Sequence, residues 1–117
     1  MIKGIGVDLV DISRMEKMIT NEKFVQRVLT SEEQVIFYSL GSKRQVEFLA
    51  GRFACKEAYS KALGTGIGQR VSFQDLSILS QSSGAPYFAQ HPYHEYTVHV
   101  SIAHTDLVAT AYVILEQ

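Results

Sequence analysis

The stretch Phe53-Ala-Cys-Lys-Glu57-Ala-Tyr-Ser-Lys61-Ala-Leu-Gly64 sets a carboxylate and an ammonium one helical turn apart where the surrounding pattern asks for apolar side chains. Counted from Val46, the positions three, four, seven and eight residues on are Leu49, Ala50, Phe53 and Ala54, the inward stripe of an amphipathic helix. The stripe continues through Glu57 and Ala58 to Lys61 and Ala62. A helix turning once every ~3.6 residues therefore aims Glu57 and Lys61 at the interior or into a cleft. Charged groups rarely sit there without a partner, a metal or a task. The same spacing also fits a surface ion pair worth only ~0.2–0.5 kcal/mol, and the helix alone leaves both readings open.

Outward from this helix, which runs from about Arg44 to Leu63, the chain punctuates itself clearly. Gly64-Thr-Gly-Ile-Gly68 stops the helix with a loop of unusual backbone freedom. Upstream, Thr30-Ser-Glu-Glu33 is a capping box opening a helix that Gly41 should close. Asp11 is the N-cap of a short helix from Ile12 to about Thr20. Ile5, Val7 and Leu9 alternate with Gly4, Gly6 and Asp8, a first strand with one apolar face and one nearly bare face from which Asp8 projects. Glycines on the bare face let a ligand or another backbone come close.

Downstream, Val71 to Leu79 reads as a strand whose alternation slips around Asp75, as at a bulge, and Ser82 to Pro86 reads as a turn. Tyr96, Val98, Val100 and Ile102 alternate with Thr97, His99, Ser101 and Ala103 in an amphipathic strand, and His104-Thr-Asp106 turns the chain. Leu107 to Leu115 is apolar at both parities, which predicts burial on both faces, as a central strand or against another subunit. The pattern is α+β: one domain over residues 1–117, with an N-terminal strand, helices including one long central helix, and a C-terminal antiparallel sheet.

A chain of 117 residues suffices for one core, and 46% hydrophobic with 20% charged residues excludes intrinsic disorder. A net charge of −1 gives no global attraction to nucleic acid or anionic lipid. Cys55 is the only cysteine, so no internal disulfide forms, and no Cys/His set has the spacing of a structural zinc site. That usage fits a reducing cytoplasm, and Cys55 reads as a packed, inert thiol. Neither a signal peptide nor a membrane-spanning segment is expected.

Asp8, Glu57, Lys61, the glycine loop and the Ser101 to His104 turn are the pieces from which a site would be built. Two carboxylates distant in sequence and both on unexpected faces suit a hard divalent cation, magnesium above all, completed by waters and phosphate oxygens. A lysine beside it would neutralise phosphate charge or help a leaving oxygen depart. Leu9 stands where a dinucleotide fingerprint needs its third glycine, and the Gly64 loop follows a helix and lacks Gly-Lys-Ser/Thr, so neither phosphate motif is present. His91 and His94 read as solvated loop residues; His104 alone of the four histidines stands at the end of an element, and on the sequence alone a structural hydrogen-bonding role suits it better than a site role. Lys43, Arg44 and Arg52 are a candidate phosphate-binding cluster, although by themselves they fit a solvated face better. Arg14, Lys17, Met18, Lys23, Phe24 and Arg27 mix cations with apolar groups, as a surface for an acidic partner would, although core packing accounts equally for Met18 and Phe24.

At Gly4 to Asp8, at Phe53 to Lys61 with Gly64, and at Val100-Ser-Ile-Ala-His104, the chain resembles the holo-[acyl-carrier-protein] synthases, the small bacterial 4'-phosphopantetheinyl transferases. The three pieces occur in that family's order across nearly the whole chain. The resemblance implies transfer of 4'-phosphopantetheine from coenzyme A to a serine of an apo acyl carrier protein, for fatty acid biosynthesis, with release of adenosine 3',5'-bisphosphate. By position, it implies that Asp8 and Glu57 hold magnesium against the coenzyme A pyrophosphate and that Lys61 assists the departing phosphate. It further implies that Lys43, Arg52, Gly64 and His104 contact coenzyme A, and that Arg14, Met18, Phe24 and Arg27 grip the acidic carrier protein. A homotrimer with sites between neighbouring subunits is the assembly it implies, with no nucleic-acid or membrane partner. The base that removes the serine proton is left open between Glu57 and a metal-held water.

Overall fold

The computed structural model describes residues 1–117. The chain opens with strand β1 (Ile2–Asp11) and continues through helices α1 (Ile12–Glu16), α2 (Glu22–Val28), α3 (Ser31–Ser39) and α4 (Ser42–Leu63). A single 3-10 turn (Phe73–Asp75) precedes strands β2 (Ser77–Ser80), β3 (Pro86–Gln90), β4 (Thr97–His104) and β5 (Val108–Glu116). The fold is α+β.

Local chemistry explains most boundaries. The capping box at Thr30 forms: the Thr30 N–H donates to Glu33 Oε1 at 2.8 Å and the Glu33 N–H to Thr30 Oγ1 at 3.4 Å. α4 stops where expected, at Gly64, whose φ of +85° is the left-handed conformation that favours glycine. Gly41 does not close α3, which ends at Ser39 with Leu40 as its C-cap; Gly41 occupies the N-cap of α4 instead. α1 ends at Glu16, short of Thr20, and a separate α2 follows, started by Asn21, whose side chain accepts the Phe24 N–H at 3.1 Å. The slip near Asp75 proves to be the 3-10 turn, in which the Asp75 carboxylate accepts the Ser72 N–H at 2.9 Å; the bulge lies later, at Ser77 to Ile78.

β1, β5 and β4 form an antiparallel sheet in that order, and β2 pairs with β3 in a hairpin. β5 is thus the central strand, but it is covered on one face only within the chain. Ala109, Ala111, Val113 and Leu115 are buried, whereas Tyr112 on the other face is 43% exposed. α4 crosses the covered face, and around it lies a core of buried residues from every element except β3 and β4.

The bare face of β1 is the one that packs. A Cβ added at Gly4 would lie 1.9 Å from the Ala62 carbonyl oxygen, and one at Gly6 would lie 2.0 Å from that of Ala58. The backbone approaching these glycines is therefore that of α4, and the apolar face of β1 looks outward, with Ile5 56%, Val7 51% and Leu9 66% exposed. Gly6→Ala is expected to destabilise the fold by about 1–3 kcal/mol or more, because neither backbone can yield cheaply. Thermal unfolding checks this; a Tm within a degree of the parent would refute the tight strand–helix contact.

Candidate active site

β1 and α4 bring the first half of the site together. Asp8 has the same parity as Gly4 and Gly6, so its carboxylate leaves the strand toward α4. Lys61 Nζ donates to Asp8 Oδ1 at 3.0 Å and to the Val7 carbonyl at 3.1 Å. The lysine side chain is half exposed and the aspartate largely covered, so the pair is a positioned one of modest strength. Glu57, one turn earlier and half-buried, does not take Lys61 as its partner. Burial pushes its pKa up and the nearby Asp8 carboxylate pushes it further, while Lys61 and Arg14 pull it partly back. Two hard oxygen donors that repel each other are a donor set a divalent cation relieves.

The apolar stripe does not carry Glu57 and Lys61 into the interior: Lys61 is exposed and Glu57 only half-buried. α4 is buried almost all round from Leu49 to Ser60, and Glu57 is the least covered position in that span. The small residues Ala50, Gly51, Ala54 and Ala58 fall within about 100° of one another on the helix, a face against which neighbouring elements can pack closely.

Arg52 and His104 belong to a separate pocket of about 360 Å³, lined also by Arg44, Glu47, Phe48, Ser80 and Pro86. The Arg52 guanidinium stacks 4.1 Å from the Phe48 ring centroid and donates to the Ile78 carbonyl at 3.2 Å, leaving part of its fork free. His104 Nδ1 lies 3.9 Å from Glu47 Oε2. Lys43 is not in this pocket; it lines a neighbouring one of about 530 Å³ with Ile12, Glu16 and Asp106. Gly64 caps α4 one turn beyond Lys61.

Asp8 and His104 are on the two opposite edge strands of the sheet, with β5 between them, roughly 10 Å across in strand spacings. Arg52 and Glu57 leave α4 about 140° apart. The two groups of candidate residues therefore lie on different sides of the central helix.

Arg14, Phe24 and Arg27 cluster over the start of the chain's helical half. The Arg14 guanidinium lies 5.2 Å from the Phe53 centroid, Arg27 lies 5.7 Å from that of Phe73, and Phe24 stacks on Phe53 at 6.0 Å. Met18 and Phe24 are partly buried against the core, which accords with the packing reading of these two residues.

Sequence reasoning missed the buried pair Lys56 and Glu33. Lys56 Nζ donates to Glu33 Oε1 at 2.6 Å and to the carbonyls of Val28 and Phe73, with both side chains fully buried. Glu33 was legible only as a capping residue. Cys55 is fully buried and its thiol is pushed up to about 12 by that burial, which removes it as a nucleophile.

The family model of the 4'-phosphopantetheinyl transferase superfamily matches residues 4–114. The holo-[acyl-carrier-protein] synthase of Enterococcus faecalis is 54% identical over 117 residues, covering 99% of this chain and 98% of that one. A holo-(acyl-carrier-protein) synthase from Bacillus anthracis, solved in complex with CoA (3',5'-ADP), superposes with a TM-score of 0.91 at 46% identity, covering 98% of this chain and 96% of the other. The Neisseria meningitidis holo-[acyl-carrier-protein] synthase superposes with a TM-score of 0.90 at 35% identity over the full length of both chains. Agreement of this extent, in sequence from end to end and in the path of every element, places the chain in the 4'-phosphopantetheinyl transferase superfamily.

Proposed function

We propose that this chain transfers 4'-phosphopantetheine from coenzyme A to a serine hydroxyl of an apo acyl carrier protein, releasing adenosine 3',5'-bisphosphate, in the service of fatty acid synthesis. The observation that carries the reading is the pairing of Asp8 and Glu57 beside Lys61, in a chain related along its whole length to holo-[acyl-carrier-protein] synthases. The attacking oxygen belongs to the partner, which agrees with a chain whose one thiol is buried.

Asp8 and Glu57 would hold magnesium, which when bound supplies charge neutralisation at the pyrophosphate. Lys61, steadied by Asp8 and the Val7 carbonyl, holds a positive charge where the bridging oxygen departs. Arg44, Arg52 and His104 line the pocket suited to the adenosine end and its 3'-phosphate. Lys43, next to Arg44 in sequence, lines the neighbouring pocket instead and takes a peripheral part.

The two half-sites on opposite sides of α4 support an assembly in which one subunit supplies the carboxylates and its neighbour the phosphate pocket. The outward apolar face of β1, Ile5, Val7 and Leu9, with Tyr112 beside it on β5, is a surface for such a neighbour. A homotrimer is the closed ring we infer. No helix is long and apolar enough to cross a membrane, and the lone reduced thiol fits a cytoplasmic location.

The purified protein with coenzyme A and magnesium is expected to add the phosphopantetheine mass to an apo carrier protein, with one bisphosphate released per carrier. Mass spectrometry reads this directly. An unmodified carrier protein overturns the assignment, and bisphosphate released equally without carrier protein would mean that water is the acceptor.

A further inference from the structure

We infer that Phe53 and Phe73 are positioning residues for carrier-protein recognition: their ring faces pre-order Arg14 and Arg27 as a fixed pair of anion receptors. The inference rests on the proposed docking role of those two arginines. Arg14 and Arg27 are exposed, come from different helices, and have no carboxylate partner within salt-bridge distance. A free surface arginine samples many rotamers. Each of these instead lies over an aromatic face, 5.2 Å from the Phe53 centroid for Arg14 and 5.7 Å from the Phe73 centroid for Arg27.

The two rings are themselves fixed to each other. Phe53 and Phe73 meet at 5.5 Å between centroids, Phe24 stacks on Phe53 at 6.0 Å, and both Phe53 and Phe73 are under 10% exposed. The rings therefore form one rigid row anchored on α4 and the 3-10 turn, and the row sets the separation of two guanidiniums that the backbone of α1 and α2 alone would not fix. Stacking leaves each fork's edge N–H groups free for carboxylates. An acidic helix binding to this pair loses less side-chain freedom than it would on two mobile arginines, which appears as affinity and as selectivity for one carboxylate spacing. Neither ring lines the phosphate pocket; Arg14 also acts on the Glu57 carboxylate, so Arg27 over Phe73 is the arm that reports docking alone.

The test replaces Phe53 and Phe73 with phenylalanines of increasing ring fluorination, which weakens the negative ring face at nearly constant volume. The KM for the acidic carrier protein is expected to rise steadily with fluorination, to about three- to tenfold at the strongest substitution, while kcat and the KM for coenzyme A move much less. Phe73→Leu, with Tm measured alongside, is expected to raise the carrier KM similarly, and Phe73→Tyr to restore it. A carrier KM independent of fluorination overturns the inference while leaving the docking role intact. If Arg14→Ala with Arg27→Ala also leaves the carrier KM unchanged, the docking role itself falls.

Discussion

Glu57→Gln is expected to lower kcat/KM for carrier-protein modification by about 10²–10³-fold, the loss typical of removing one preorganised charge at a reacting centre. The substitution keeps size and shape, and it leaves the Lys61 to Asp8 contact in place because Lys61 is not bound to Glu57. The loss therefore reports the second carboxylate alone. Stability should move the other way. The folded-state pKa of Glu57 is raised, by burial and then by Asp8, so the folded chain holds that proton more tightly than the unfolded one. The stability from this group is present below the ordinary carboxylate range and is lost as pH rises through the raised value. At neutral pH without metal, Gln relieves that loss, and the variant should melt at the same temperature or higher. Magnesium should raise the parent's Tm and not the variant's. A variant that retains transferase activity removes Glu57 from the mechanism, and one that gains as much from magnesium as the parent removes it from the metal site.

The opposed effects expected at Glu57 trace back to the kind of information the sequence held. A carboxylate on an apolar stripe is a local conflict, and local conflicts mark functional positions because folding alone would not retain them. Asp8 was legible for the same reason, on a strand face otherwise made of glycine. The capping box at Thr30, the stop at Gly64 and the alternation of β4 were legible because each is settled by neighbours within a few residues. Whatever depended on distant partners was not. The glycine face of β1 could not announce that its neighbour would be the α4 backbone, and so the exposure of Ile5, Val7 and Leu9 came from the structure. The division of His104 from Asp8 follows from sheet order, with β5 inserted between the first strand and β4, and that of Arg52 from Glu57 follows from helical rotation. No spacing in the chain encodes that insertion. Lys43 and Arg44 are adjacent in sequence, and helical rotation alone sends them to different pockets.

Lys56→Met carries the largest expected effect on the fold. Lys56 is fully buried and its ammonium donates to Glu33 Oε1 at 2.6 Å, to the Val28 carbonyl at 2.6 Å and to the Phe73 carbonyl at 3.1 Å. Burial lowers its pKa, and the Glu33 carboxylate opposes that shift. The partner is equally committed: Glu33 accepts from the Thr30 N–H and hydroxyl through one oxygen and from the Ile78 N–H through the other. One ion pair therefore ties the end of α2, the start of α3, the 3-10 turn and β2 to the central helix. Methionine is close to lysine in volume but removes the charge and its N–H donors, leaving a buried carboxylate with only the more distant Arg52 as counter-charge and the Val28 and Phe73 carbonyls without this donor. That costs about 3–5 kcal/mol, a large share of the ~5–15 kcal/mol that holds a domain of this size together. At a few degrees per kcal/mol, Tm should drop by roughly 10–25 °C. The larger part of the cost comes from the orphaned carboxylate and the smaller from the two carbonyls that lose their donor. Glu33→Gln combined with Lys56→Met should therefore be less destabilised than the sum of the single variants, because the amide still accepts from Ile78 without a bare charge. Strict additivity would mean that the two groups are not coupled. If the single variants melt like the parent, the pair is not what joins these elements.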